Sequence, residues 1–438
     1  MTAFINTVKH FLLAVFTWPI TQPIALAGAI IQQPNKAFAV VDFLKGLSVL
    51  MVILFHTLFA IFFLFKKSPD KLNAFIQSLP DGLTFLLASD KAVDIFFLLS
   101  SFLLSYSLLS IYQKKNRIDI GRFYLHRFFR IYPLFLVALI LYGLADPHKL
   151  LTEGWYSLLF IENIFSKGII PVQWSLSIEV QFYLILPFLI LFLAKRKRPI
   201  LWISALIVLS VFARFWIAYQ TPAIYQTPWY QFTQVVDAAV YMDAMYYVIE
   251  ARITPLLLGV LWALILWHSP NTKLTLSNRT KYSLLALGLG VIYLTLQFPV
   301  YDSQARFYQP FNASFNLAAI SLHRFIFSGT ILALILLFHF SKPSKKSNPL
   351  IHWKGWRLLS EVAYPMYFFH FPFVAIGWFL ILGTVEATEI STIPLLYIPL
   401  VFGFAVFSTL YLSLLLNHWV EARFIKMGKQ VESRWFSR

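Results

Sequence analysis

The 438-residue sequence is 59% hydrophobic and only 13% charged, too apolar for a soluble globular chain, which must cover its surface with polar groups. Its formal net charge of +17 does not point to nucleic acid, because the basic residues fall in short clusters between long apolar runs, the pattern that encodes membrane topology. With no cysteine, disulfides, thiolate metal sites and a cysteine nucleophile are excluded, and any catalysis must use oxygen and nitrogen groups.

In chain order, the first apolar stretch is 11–31, interrupted by Pro19 and Pro23. It reads either as an interfacial segment or as an extra span, and no small-residue cleavage site ends it as in a signal peptide. About 20 apolar residues at about 1.5 Å each cross about 30 Å of hydrocarbon. That criterion selects ten segments, at 46–65, 83–111, 131–146, 178–194, 199–218, 252–268, 281–298, 319–340, 361–383 and 394–416. The expected fold is therefore all-α, a polytopic integral membrane protein of about ten transmembrane helices.

The loops support the count, because they alternate in charge. Lys114, Lys115, Arg117, Arg122, Arg127 and Arg130 follow the second segment, and Lys195, Arg196, Lys197 and Arg198 the fourth. Lys273, Arg279 and Lys281 follow the sixth, Lys342, Lys345, Lys346, Lys354 and Arg357 the eighth, and Arg423, Lys426 and Lys429 the tenth. These loops are expected in the cytoplasm. The intervening ones carry Asp146, Glu153, Glu162, Asp237, Asp243, Asp302, Glu386 and Glu389, with Lys66, Lys67 and Lys71 dissenting. Ten spans put both termini in the cytoplasm. Residues 1–40 are expected as a cytoplasmic or interfacial segment, 41–424 as one membrane domain and 425–438 as a cytoplasmic tail, with no internal repeat and no appended soluble domain.

Charged and polar groups deep in a span are costly and usually face the bundle interior, where they often mark a site. His56 lies near the middle of the first segment, Asp94 is similarly deep in the second, and His370 sits mid-way along the ninth. Glu179, Arg252, His323 and Arg324 stand near the outer ends of their segments, while Arg127 and Arg130 are one turn apart at an inner boundary. Each has a plain structural alternative: an interior hydrogen bond for the histidines, a helix-to-helix tie for Asp94, a headgroup anchor for the arginines. Position alone leaves these open.

Six stretches carry more. They are Asp42-Phe43-Leu44-Lys45-Gly46 leading to His56; Asp94 to Leu103; Arg127-Phe128-Phe129-Arg130-Ile131-Tyr132-Pro133; Trp174-Ser175-Leu176-Ser177-Ile178-Glu179 followed by Gln181-Phe182-Tyr183; Ala363 to His370; and His418 to Phe424. In order and spacing they resemble the acyltransferase 3 family of membrane O-acyltransferases. Four positions depart from that pattern. Lys45 stands where arginine is usual, Ser101 where glycine is usual, Val180 where a second acidic residue is common, and Pro365 where serine is common.

The resemblance implies transfer of an acyl group, commonly acetyl, from cytoplasmic acyl-CoA to a hydroxyl of a cell-envelope carbohydrate or glycolipid, in the inner membrane of a bacterium. It implies catalytic roles for His56, Asp94, Glu179 and His370, with His56 as general base; by analogy with other acid–base pairs, Asp94 is expected to orient its imidazole. Arg127, Arg130, Arg122 and Lys45 are expected to meet the phosphates of the donor, and Trp174, Glu179 and Arg252 the acceptor. Capping of its helix is an alternative role for Glu179. No metal and no tightly bound cofactor are expected, acyl-CoA being a substrate, and a homodimer stays open. The aromatic-rich stretch 219–250, with Asp237 and Asp243, reads as either a carbohydrate site or an interfacial belt. A proton-coupled transporter of a small metabolite or glycan fragment is the alternative from another class, because midplane His and Asp also suit proton coupling, but the paired repeats of such folds are not visible.

Overall fold

The computed structural model describes residues 21–33, 39–80, 82–165, 168–269, 272–341, 349–384 and 389–436, apart from the side chains of 233–235. Residues 1–20, the charges at Lys342, Lys345 and Lys346, and Glu386 lie outside the described residues. The long helices are α1 Ala39–Leu64, α2 Thr84–Lys115, α3 Ile120–Gly143, α4 Gln173–Ala194, α5 Pro199–Tyr219 and α6 Thr254–His268. They continue with α7 Asn278–Leu296, α8 Ala313–Phe340, α9 Ala363–Leu382, α10 Tyr397–Leu416 and α11 Ala422–Trp435. Among the described residues there is no strand, only one isolated bridge between Leu274 and Ser341. The protein is an all-α, polytopic membrane protein, because long apolar segments in lipid can satisfy their backbone groups only as helices or closed barrels.

Among the described residues eight helices are long and apolar enough to cross a bilayer: α1 to α5, α8, α9 and the run Tyr397–Trp435. Two of the ten expected spans differ. The stretch 252–268 breaks at Ile253, so that Arg252 closes a separate turn, Ile249–Arg252, and α6 has 15 residues, about 22 Å of helix. α7 has 19 residues but opens on Asn278, Arg279, Thr280 and Lys281, so its apolar length is short. Most of the stretch 425–438, expected as a cytoplasmic tail, belongs to α11, which continues from α10 through a π-turn at Asn417–Glu421. Gly428 of α11 packs on Phe129 of α3.

α6 is short because it is buried rather than lipid-facing. A Cβ on Gly259 would lie 2.4 Å from the Leu98 carbonyl oxygen and 2.8 Å from the Phe102 nitrogen, so the α2 and α6 backbones touch. Trp262 stacks on Phe102 with ring centroids 3.5 Å apart, and Ser101 Oγ donates to the Leu256 carbonyl at 2.6 Å. Ser101, where glycine is usual in the resembling family, is thus fully used: its hydroxyl ties the helices while Gly259 supplies the close approach. One core joins α2, α3, α4, α6 and α8, and a second gathers α1, α9, α10 and the helix Pro69–Ser78.

Gly259→Ala forces backbone apart and should cost about 1–3 kcal/mol, seen as a lower thermal unfolding midpoint in detergent. Gly290→Ala, where nothing lies within 4 Å, should hold or raise the midpoint, since alanine favours helix over glycine by up to about 1 kcal/mol.

Candidate active site

Among the described residues, two of the cavities in the bundle are lined by expected site residues. The smaller, about 230 Å³, is lined by Lys45, Ser100, Arg127, Arg130, Glu179 and Tyr183 together with apolar residues of α2, α4 and α9. The larger, about 860 Å³, is lined by His56, Asp90, Trp174, Arg324 and Phe371, by segment 229–247, and by Lys66 and Lys149. Val93 and Tyr367 line both. Lys45 and His56 are eleven residues apart on α1, about 16 Å along its axis, which sets the cavities at successive levels. The smaller lies toward the end bearing the basic loops.

Behind the wall of the larger cavity, which His56 lines, the expected histidines meet. His370 on α9 is fully buried, and its Nε2 lies 3.0 Å from His56 Nδ1. His56 Nδ1 also faces the Val52 carbonyl at 2.9 Å. The expected orienting partner of His56 does not reach it. Asp94 is spent on arginines instead: Arg324 Nη1 donates to its Oδ2 at 2.7 Å, and Arg252 Nη2 stands 3.2 Å from its Oδ1. The same Arg324 pairs with Asp90 through its other terminal nitrogen. In a buried site a carboxylate with two guanidinium groups at ion-pair distance has its charge met there, which is why Asp94 is held away from the imidazole. Asp90 was not singled out from sequence, although its place four residues before Asp94 puts both on one helical face.

Arg252, expected to hold the acceptor, is fully buried and lines neither cavity. Its guanidinium lies over the rings of Trp174 at 5.0 Å and Tyr246 at 4.9 Å, so it buttresses the cavity wall from behind. Trp174 does line the larger cavity, with its ring 4.6 Å from Tyr246. The stretch read as either belt or site turns inward: Trp229, Phe232, Tyr241 and Tyr246 are buried, and with Asp237 and Asp243 they line the cavity of His56.

The smaller cavity gathers three of the four expected donor-binding cations. Arg130 pairs with Glu421 at 2.5 Å, whereas Arg127 has no ion pair among the described residues and its buried Nε has no hydrogen-bond partner. Arg122 is not in this wall. Its Nε lies 2.9 Å from Glu432 of α11, the carboxylate that the tail reading left out of account. Glu179, expected at the outer end, belongs with the cations, because α4 begins at Gln173, five residues earlier than its apolar run. Its carboxylate accepts from Ser100 Oγ at 2.6 Å, so it does not act as a cap.

The remaining residues of its motif hold the partition and the adjoining loop. Ser175 and Tyr367 hydroxyls lie 2.5 Å apart, between the cavities. Ser177 and Gln173 donate to Glu162 at 2.7 and 2.9 Å, fastening the 144–172 connection to α4. Burial pushes the Glu162 carboxyl up to about 7 despite these donors. Tyr367 and Glu162 gave no sequence signal that separated them from neighbouring tyrosines and loop acids.

Among the described residues no group of three or more His, Cys, Asp or Glu side chains is placed to hold a metal. The fold and these two cavities define a polytopic membrane protein with a paired-histidine site facing a cation-lined chamber. Residues 38–418 match the family model described as an acyltransferase domain, and the chain belongs to the acyltransferase 3 family. It is 24% identical over 305 residues to the peptidoglycan O-acetyltransferase OatA of Listeria monocytogenes, covering 65% of this chain and 44% of that protein. With the O-acetyltransferase OatA of Staphylococcus aureus (strain NCTC 8325 / PS 47) it shares 25% identity over 303 residues, 64% of this chain and 45% of that one. A Haemophilus influenzae protein is 26% identical over 238 residues, 47% of this chain and 86% of its own. The alignments thus span less than half the length of the OatA proteins. No solved structure matches significantly.

Arg324→Met leaves Asp90 without its guanidinium and Asp94 with Arg252 alone; breaking such a buried network should cost about 3–5 kcal/mol, measured as a depressed unfolding midpoint, with His56→Ala changing the midpoint far less. Glu162 tests the loop anchor. Its folded-state pKa lies above the unfolded value, so its contribution is complete below about pH 4.5 and is lost as pH rises through about 7. Glu162→Gln should flatten that fall in a series of thermal melts across the interval.

Proposed function

We propose that the protein is a membrane O-acyltransferase that takes an acyl group, acetyl in the simplest case, from acyl-CoA in the smaller cavity. It delivers the group to a hydroxyl of a cell-envelope carbohydrate or glycolipid in the larger one. The observation that carries this reading is the meeting of a cation-lined cavity and a histidine-bearing cavity at Val93 and Tyr367. The printed names of the OatA relatives, O-acetyltransferase and peptidoglycan O-acetyltransferase, favour acetyl and an envelope acceptor. The basic loops favour a cytoplasmic mouth for the smaller cavity, cytoplasmic termini and residence in the inner membrane.

In this reaction His56 Nε2 takes the proton of the acceptor hydroxyl as its oxygen attacks the thioester carbonyl. The tetrahedral intermediate then collapses, the carbon–sulfur bond breaks, and the imidazolium returns its proton to the departing CoA thiolate. Arg127 and Lys45 meet donor phosphates, Arg127 by the charge-assisted bonds its unpaired guanidinium can make. Glu179, held by the Ser100 hydroxyl that donates to its Oε1, suits the amide groups of the pantetheine arm, its carboxylate accepting from N–H. Trp174, Tyr246, Asp237 and Asp243 offer ring faces and carboxylates to a sugar. Acyl-CoA is consumed, so no resident cofactor is required.

The test is free-thiol release from acetyl-CoA by protein in nanodiscs supplied with an extract of envelope glycans. Acceptor-dependent release is expected, with His56→Ala lowering kcat about 100- to 10,000-fold. Arg127→Ala should chiefly raise KM for acetyl-CoA, roughly 10- to 100-fold for a lost charged hydrogen bond. Full activity in His56→Ala overturns the assigned base. No release with any of several acyl-CoA donors, together with proton-coupled solute uptake in vesicles, overturns acyl transfer in favour of transport.

A further inference from the structure

His370 is fully buried on α9, and its two ring nitrogens face different chemistry. Nδ1 lies 2.7 Å from the Tyr367 carbonyl oxygen and 3.2 Å from that of Met366. Carbonyl oxygens only accept, so Nδ1 is the nitrogen that carries hydrogen. Hydrogen on both nitrogens would leave a charge on a buried ring whose hydrogen-bond partners here include no carboxylate. Nε2 therefore holds a lone pair, and that lone pair points at His56 Nδ1, 3.0 Å away.

The same reasoning then passes to His56. Its Nδ1 faces two acceptors, His370 Nε2 at 3.0 Å and the Val52 carbonyl at 2.9 Å. It must donate, shared between them, and the neutral ring is left with its lone pair on Nε2. His56 lines the larger cavity, and Nε2 is its remaining polar atom. We propose that His370 is a positioning residue that, together with the Val52 carbonyl, fixes the tautomer of His56, keeping Nε2 unprotonated and open to the acceptor hydroxyl. The choice has two sources: the α9 carbonyls, which set His370 and through it His56, and the Val52 carbonyl of α1, which acts on His56 directly.

The inference rests on the reading of His56 as the general base and fills the place that Asp94 leaves vacant. When Nε2 takes the acceptor proton, the imidazolium keeps its Nδ1–H directed at the His370 lone pair and the Val52 carbonyl. The new charge is then met by groups already aimed at it. A neutral imidazole does this without adding a second buried charge to the site, as a carboxylate would.

The tautomer is measurable without turnover. Protein carrying 15N-labelled histidine, in lipid and without acyl-CoA, is compared with His56→Gln and His370→Phe to assign the two rings among the ten histidines. The expected wild-type spectrum shows both rings with a proton-bearing Nδ1 and a lone-pair Nε2. In His370→Phe, where the Val52 carbonyl still accepts from His56 Nδ1, the His56 signals should move part of the way toward an exchange average of the two tautomers. A His56 that carries its proton on Nε2 in wild type, or that keeps its tautomer in His370→Phe, overturns the proposal. The wild-type spectrum alone decides the first point if His370→Phe does not fold. In thiol release, His370→Phe should lower kcat roughly 10- to 100-fold, the range for a lost hydrogen bond to a charged group, with KM for acetyl-CoA unchanged. His370→Gln, whose amide oxygen can accept from Nδ1–H, should recover part of it. Absence of thiol release in wild type would sink the acyl-transfer reading while leaving the spectrum to decide the tautomer.

Discussion

Arg324 gripping Asp90 and Asp94 is the interaction on which the arrangement of the bundle depends. In a low-dielectric interior a charge without a partner is far more costly than a poorly packed methyl group, so α8 cannot slide or turn against α2 without stranding one. With that pair fixed, the rest of α2 is indexed. Ser100 faces Glu179 of α4, Ser101 grips α6, and Val93 stands in the partition between the cavities. Arg252 closes the network from behind, and the aromatic rings on its guanidinium are those that wall the larger cavity.

Length and hydropathy were enough to find the helices, since a bilayer admits few other structures. The helix bounds differ where a run of apolar residues is made of two pieces, as at Ile253, or begins on polar residues, as at Asn278. The α11 helix was read as a tail because Arg423, Lys426 and Lys429 look like loop charges. Yet their spacing is helical and places Gly428 and Glu432 on the side that meets α3.

The candidate site was legible in its members and illegible in its pairings. Depth in a span marked His56, His370 and Asp94, and motif order marked Arg127 and Glu179. Which of these touch depends on the rotation of one helix against another, and periodicity within a helix carries no information about that. Analogy with carboxylate–histidine pairs assigned Asp94 to His56, whereas two arginines compete for the carboxylate and a second histidine takes the place. Glu179 was put on the wrong level because its helix starts before its apolar run does. The inward fold of segment 229–247 has no counterpart in hydropathy, because an interfacial belt and a cavity wall draw on the same residues.

The partition at Val93, Ser175 and Tyr367 has an electrical meaning. Two chambers reaching toward each other leave a thin neck of protein, and where both are filled with water a transmembrane potential falls mainly across that neck, about 2.3 kcal/mol for each elementary charge moved through 100 mV. In the proposed transfer an acyl group passes through the neck one way, while the proton of the acceptor hydroxyl, delivered to the CoA thiolate, passes the other. The sum is an electroneutral exchange. In that proposal the donor phosphates stay on one side and the acceptor on the other, so the membrane potential neither drives the transfer nor resists it, and a closed neck keeps the protein from short-circuiting the membrane it sits in.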